Sequence, residues 1–303
     1  MTDKPLLSVI VANYNNESYI RDCLDSILDQ TYKPLEIIVS DDGSTDNSPQ
    51  VTREYEKKYP GMVKGVFSPV NRGVARTRHD AVLQAGGQYI TTLDSDDYYY
   101  NQKKLEQEMT LVLEYKKQKK DILAFSNIAF VKEDKTLLHN WGNSKNIKEG
   151  SIFEDIITRS CMIPRDFVMR KSIYFEIGGY DFKFKTHEDW DLKIRAARKY
   201  EFYYTGEAGT AYRRHSSGLS NIPYHIRTEN LWKVFFKNTI RIPRSTRKTL
   251  VREFTVYMRR RDEDYISRLK TGESSLQHRL SVRMRTWGRR RWNVIKGGCR
   301  FNG

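Results

Sequence analysis

Cysteine and long apolar runs are what this sequence has least of. Three cysteines stand in 303 residues, Cys23, Cys161 and Cys299; their odd number and wide separation exclude a disulfide framework and match no zinc-ligand spacing. They read as free thiols of a reducing compartment. No apolar run approaches the roughly 20 residues that a membrane-spanning helix needs, and the short one from Leu6 to Ala12 is too brief for the core of a secretory signal. The expected location is therefore cytoplasmic. Internal repeats and low-complexity tracts are missing as well. Acidic residues are scarce in one place only: Met1 to His215 carries 32 Lys+Arg against 32 Asp+Glu, whereas Ser216 to Gly303 carries 21 against 6, so the whole formal net charge of +15 sits in the last part of the chain. A neutral body precedes a cationic segment that should seek an anionic surface.

The body alternates strand and helix signals. Leu7 to Ala12 reads as a buried strand, and Ile20, Cys23, Leu24, Ile27 and Leu28 recur at helical spacing. A strand at Leu35 to Ser40, turn residues Asp42-Gly43-Ser44, a helix through Val51 to Lys58 and a strand near Val63 to Phe67 follow. Val74 to Ala85 predicts a helix that Gly86-Gly87 stops as a C-cap would. Tyr89 to Leu93 is a strand running into Asp94-Ser95-Asp96-Asp97. Such alternation implies βαβ crossovers and a mainly parallel sheet with helices on both faces, whose ligands bind beyond the carboxyl ends of the strands. Further on, Leu105, Met109, Val112 and Leu113 mark a helix, Ile122 to Val131 a core strand, Lys132 to Gly150 a loop or small hairpin, and Asp189 to Tyr200 another helix. The run Lys116 to Lys120 reads as a solvated helix end.

The acidic cluster at the end of its strand places several carboxylates within one metal radius. Mg²⁺ and Mn²⁺ take oxygen ligands and commonly use one or two carboxylates plus the oxygens of a bound diphosphate. Asp96 is the expected ligand, with Asp94 serving a ribose hydroxyl or the ion through water. An acidic turn capping the next helix is the other reading.

Four ordered blocks extend the argument: Ser8 to Asn15, Ile37 to Asp46, Asn71 to Arg78, and Tyr89 to Asp97. With them, the chain resembles the family 2 glycosyltransferases, inverting enzymes of the GT-A fold, from roughly Leu7 to Ser220. The resemblance implies an α/β fold of the GT-A (Rossmann-like) type with a mixed, mainly parallel sheet, a catalytic domain over 1–220, and a nucleotide-sugar donor carried most often by UDP, with GDP and dTDP open. Ala12, Tyr14, Asp42, Arg78, Asp94 and Ser95 would contact the donor nucleotide, Asp42 by accepting a hydrogen bond from the base and Arg78 on the diphosphate side. Gly178 to Asp181 and His187 to Leu192 resemble the loop and Glu-Asp pair ahead of the acceptor-side helix. Asp189 matches the base and Glu188 a residue that orients the acceptor or the base, or both are an acidic first turn favoured by the helix dipole. A carboxylate among acidic neighbours and partly desolvated is expected to have a raised pKa. The proposed chemistry is one in-line displacement without a covalent sugar intermediate. Tyr212 to Ser220 matches a mobile loop over the donor: His215 could ligate Mn²⁺ or Mg²⁺ or hold the diphosphate, and Arg213 or Arg214 could bind phosphate. A plain polar loop is the alternative there. The sequence departs from the family in holding Ala12-Asn13 where a Pro-Thr pair is usual, and in lacking a Gln-x-x-Arg-Trp motif, which argues against a processive polysaccharide synthase.

Residues 221–303 are expected to form a basic, mostly helical region. Leu231, Val234, Phe235 and Phe236 begin one stripe, Leu250, Phe254 and Tyr257 a second, and Leu276, Leu280, Met284 and Trp287 a third, flanked by Arg279, Arg283, Arg285 and Arg289. That pattern suits peripheral contact with the anionic inner face of the cytoplasmic membrane, where a glycan or lipid-linked acceptor would be met; packing on the body or on a second subunit is the other reading. No nucleic-acid module is recognisable, so no specific nucleic-acid partner is expected. Two rival functions remain: a nucleotidyltransferase, disfavoured because Asn13 to Asn16 stands where a glycine-rich basic loop is usual, and a non-catalytic basic adaptor, disfavoured because every expected acidic position is filled.

Overall fold

The structure, a computed structural model, describes residues 4–140, 147–215 and 222–270. In chain order its elements are β1 (Leu7–Asn13), α1 (Glu17–Leu28), β2 (Leu35–Asp41), α2 (Ser48–Lys58), β3 (Val63–Phe67), α3 (Val74–Gln84), β4 (Tyr89–Asp94), β5 (Tyr98–Tyr99), α4 (Lys104–Lys117), β6 (Ile122–Lys132), β7 (Leu137–Asn140), α5 (Phe153–Thr158), β8 (Met169–Arg170), α6 (Lys171–Glu176), α7 (Glu188–Ala197), β9 (Glu201–Arg214), α8 (Tyr224–Thr239) and α9 (Arg244–Lys270).

The first sheet has the order β3-β2-β1-β4-β8, parallel except for β8. β1 is buried along its whole length, the reason its sequence is a continuous apolar run rather than an alternation. The helix α1 covers the sheet with Ile20, Cys23, Leu24 and Ile27, a stripe at three- and four-residue spacing. Register fixes what happens at the sheet's edge. Ala12 lies beside both Ser40 and Asp94, and Asn13 beside Asp41, so the chain leaves three adjacent strands at one level and delivers its polar side chains to one place.

The second sheet, β5-β9-β6-β7, joins β6 and β9 in parallel and adds β5 and β7 antiparallel. β5 starts directly after Asp97 and pairs Tyr98 with Ala211. That pairing carries the end of β9 back to the acidic cluster. Tyr212, Arg213 and Arg214, expected in a loop, are thus the last residues of a strand, and Ser216 to Ser220 lie outside the described residues. The region after Lys132 contributes β7 as a hairpin partner of β6.

Gly87 has a different role from the expected helix cap. The helix α3 ends at Gln84 with Ala85 extended, and a Cβ on Gly87 would meet Ser8 Oγ at 2.4 Å and the Leu6 carbonyl oxygen at 2.8 Å. The glycine is there so that the start of β4 can approach β1.

The chain divides into two compact units, Met1–Leu250 and Val251–Gly303. The first runs past the domain limit expected at residue 220 and includes α8, which buries Leu231, Val234 and Phe235 while Phe236 stays exposed. Along α9, Leu250, Phe254 and Met258 are buried at four-residue intervals. The stripe from Leu276 to Trp287 lies outside the described residues. No described helix is long and apolar enough to cross a membrane.

Candidate active site

The three aspartates after β4 converge: ligand oxygens of Asp94, Asp96 and Asp97 all lie within 4.8 Å of one another. So many carboxylates at one point repel unless cations stand among them, and two arginines do. Asp94 Oδ1 accepts from Arg78 at 2.6 Å and Asp94 Oδ2 pairs with Arg165 at 3.0 Å. Asp97 pairs with the other end of the Arg165 guanidinium and accepts the Arg213 backbone N–H at 2.8 Å. Burial raises the Asp94 carboxyl, yet Arg165 and Arg78 outweigh it and hold the group below its ordinary value. Asp97 goes the other way: burial, reinforced by Asp96, pushes it well above the carboxylate range. Among the described residues, Asp96 is the carboxylate of the three without an arginine. Its partner is His215, whose Nε2 lies 2.9 Å from Oδ2. Three carboxylates at this spacing could hold a hard divalent cation, and the His215 imidazole stands beside them at Asp96.

The second acidic group lies against the first. Arg78, buried in the body of the protein, reaches Asp94 with one nitrogen and Glu188 with the other, at 2.5 Å. The two clusters, far apart in sequence, are thus separated by one guanidinium. Both ends of the Arg78 guanidinium are thus engaged by carboxylates. Burial raises the Glu188 carboxyl despite Arg78. Asp189, a residue further along α7, pairs with Lys193 at 2.7 Å, and Lys193 also donates to the Ile163 carbonyl. Burial pushes Asp189 up, but Lys193, His187 and Arg78 together overcome it and hold the carboxyl far below the usual carboxylate range. The expectation of a raised pKa at Asp189 is therefore wrong, because its nearest neighbour one helical turn away is an ammonium.

Of the other residues expected at the nucleotide, Ala12 and Tyr14 stand at the end of β1, Asp42 follows β2 and Ser95 follows β4. Ala12 is buried and Tyr14 is exposed just beyond it. Ser95, buried, accepts from Asn16 Nδ2 at 2.8 Å. Asp42 accepts the backbone N–H groups of Arg72 and Gly73, each at 2.8 Å, and so fastens the loop that leads into α3. Next to it, Asp41 accepts from Asn13 Nδ2 and Ser44 Oγ, both at 2.6 Å. Arg213 and Arg214 diverge as neighbours on a strand must. The Arg213 guanidinium pairs with Asp22 at 2.9 Å with the Tyr19 and Tyr98 rings on either hand; that of Arg214 lies over Phe130.

Arg165 and Lys193 went unread in the sequence. Arg165 stands on the Tyr212 ring, 4.4 Å from its centroid, and donates its backbone N–H to the Tyr212 hydroxyl. That hydroxyl in turn donates to Asp166, which also faces Lys104. The one signal available was Arg165-Asp166, a charged pair in an otherwise apolar stretch.

Comparison with known proteins gives these features a context. The model of the family described as Glycosyl transferase family 2 matches residues 8–178. A putative teichuronic acid biosynthesis glycosyltransferase of Bacillus subtilis, TuaG, is 39% identical over 111 residues, covering 37% of this chain and 43% of that protein. Staphylococcus aureus TarS 1-349, solved in complex with UDP-GlcNAc, superposes with a TM-score of 0.66 at 20% identity, covering 82% of this chain and 71% of that one. The Pyrobaculum calidifontis mannosyltransferase PcManGT, solved with GDP-Man and Mn²⁺, does so at 0.57 and 19%, covering 80% and 66%. The chain spans 61% of the length of three curated relatives that it matches over 72% of its own.

Proposed function

The chain belongs to glycosyl transferase family 2, and on that premise we propose that it is an inverting glycosyltransferase, moving a sugar from a nucleoside diphosphate, UDP in the first instance, to a hydroxyl of a glycan or lipid-linked acceptor in surface polysaccharide or glycoconjugate synthesis. The observation that carries this reading is the Arg78 bridge between Asp94 and Glu188, which brings the two acidic groups into one site.

In this reading the exposed Tyr14 ring lies against the nucleotide base, and Ala12, Asp42 and Ser95 shape the pocket around it. Asp96 and His215 would hold Mn²⁺ or Mg²⁺, beside Asp94 and Asp97. The bound ion supplies Lewis-acid neutralisation of the charge on the departing diphosphate. Arg213 or Arg214 adds positive charge on that side. Asp189 removes the proton of the attacking hydroxyl at a carboxylate oxygen from the face opposite the leaving group, and configuration at the sugar's C1 inverts. Glu188, tied to Arg78, keeps the first turn of α7 facing the donor. The basic C-terminal region contacts an anionic membrane surface, where such acceptors are anchored.

The test is a panel of nucleotide sugars with Mn²⁺, scored for free nucleoside diphosphate. UDP release dependent on an added acceptor is the expected result. Pyrophosphate release would mean a nucleotidyltransferase, and no turnover with any donor would sink the enzymatic reading. Asp96→Asn should abolish metal-dependent UDP binding in calorimetry; unchanged binding would remove Asp96 as a ligand.

A further inference from the structure

The amphipathic helix α8 comes late in the chain, where the sequence suggests an appendage. Its buried face, however, carries two asparagines among its apolar residues, Asn230 and Asn238, two turns apart. An apolar face would hold a helix at least as well, because a buried amide needs a partner merely to break even. What hydrogen-bonded amides add is register, and their partners lie in the loop and helix that carry Asp189.

Asn230 Nδ2 donates to Thr186 Oγ1 at 2.8 Å, and the same hydroxyl meets His187 Nδ1 at 3.0 Å. His187 is the N-cap of α7 and has a left-handed backbone, φ 66°, a conformation that a residue with a side chain keeps only when its surroundings impose it. Eight residues on, Asn238 Nδ2 donates to Asp191 Oδ1 at 2.8 Å. Asp191 is fully buried in the first turn of α7 and also receives Lys237 at 2.8 Å and Arg195 at 2.9 Å. Lys237 reaches Asp181 as well, at 2.9 Å, and Arg195 donates to the carbonyls of Ile177 and Gly179. Two points on α8 thus grip the turn that starts α7, on either side of Asp189.

We infer that α8 is part of the catalytic apparatus, and that Thr186, held by Asn230, is a positioning residue that sets the left-handed turn presenting Asp189 to the acceptor. The inference rests on Asp189 being the base. Thr186, Asp181 and Asp191 belong to the segment bearing that base and not to the strands expected to hold the nucleotide, so loosening the grip should slow transfer while leaving the donor bound.

The experiment uses the full chain and compares Thr186→Val, Thr186→Ser, Asn230→Ala, the Val/Ala double variant and Asp189→Asn. It measures kcat and donor KM from UDP release, and UDP binding with Mn²⁺ by calorimetry. Thr186→Val and Asn230→Ala should each lower kcat about ten- to a hundredfold with donor KM and UDP affinity within about twofold of the parent. Thr186→Ser, which keeps the hydroxyl, should restore the rate, and the double variant should be no worse than Thr186→Val, which already breaks the bond that Asn230→Ala removes. Full kcat in Thr186→Val beside an inactive Asp189→Asn overturns the inference alone. Equal losses in the Val and Ser variants, or a parallel loss of UDP binding, also overturn it, since a merely structural role would act that way. Turnover by Asp189→Asn removes the base and this inference with it.

Discussion

Asp189 and Lys193 show how much one neighbour can change a carboxylate. The ion pair keeps Asp189 ionised far into acid, so the stability it adds is fully present above about pH 4, where an unconstrained aspartate titrates, and is lost as pH falls through the depressed folded value. A base with so low a pKa is always ready to accept a proton but has less drive to take one. Replacing Lys193 with Met should move the acid limb of the kcat/KM profile upward toward the ordinary carboxylate range; a limb that stays where it was would detach the pH dependence from Asp189. Asp189→Asn should cut kcat by about a hundred- to ten-thousandfold with UDP affinity unchanged in calorimetry. At this scale the sequence pointed to carboxylates that the fold brings together but not to their counter-ions. Asp94, Asp96, Glu188 and Asp189 announced themselves by clustering. Arg165 and Lys193 did not, because an arginine in an apolar loop and a lysine on a helix look like solvated charges until the fold closes over them.

Among the elements, those made by local pattern were legible and those made by partners were not. β1, α1, β2 and β4 could be placed because a buried parallel strand is a largely apolar run and its covering helix a stripe. β9 escaped because its burial follows no alternation and its register with β6 is irregular between Phe125 and Ile128. Its second glycine, Gly209, tells why it passes so close to α4: a Cβ there would sit 2.6 Å from Lys104 Cγ. Lys104 is fully buried with Glu108 at 2.8 Å and Asp166 nearby, and burial pushes Glu108 up to about 7 despite the lysine. Lys104→Met should destabilise the protein by about 3–5 kcal/mol in denaturant titration, since it strands buried acids. A loss below about 1 kcal/mol would mean the cluster is hydrated or protonated throughout. The close approach of Gly87 to β1 leads to a similar expectation: Gly87→Ala should lower stability by about 1–3 kcal/mol, read as a shift of the same midpoint.

For the molecule as a whole, the sequence revealed the family fold and the uneven distribution of charge, while the place of α8 in the first compact unit needed the tertiary contacts of Asn230 and Asn238. If the basic C-terminal region meets a membrane, a chain ending at Lys270 should bind anionic vesicles at least about tenfold more weakly than the full chain in co-sedimentation, with the full chain released by high salt. Equal binding by both would place the contact elsewhere. Arg78 finally bears on how such an enzyme can change over time. A single buried cation answers to an aspartate from the first half of the chain and a glutamate from the second, so neither acid can be exchanged without leaving the guanidinium short of a counter-charge. The first and second halves of the chain are therefore tied at this point, and a change at either acid is felt by the cation that both share.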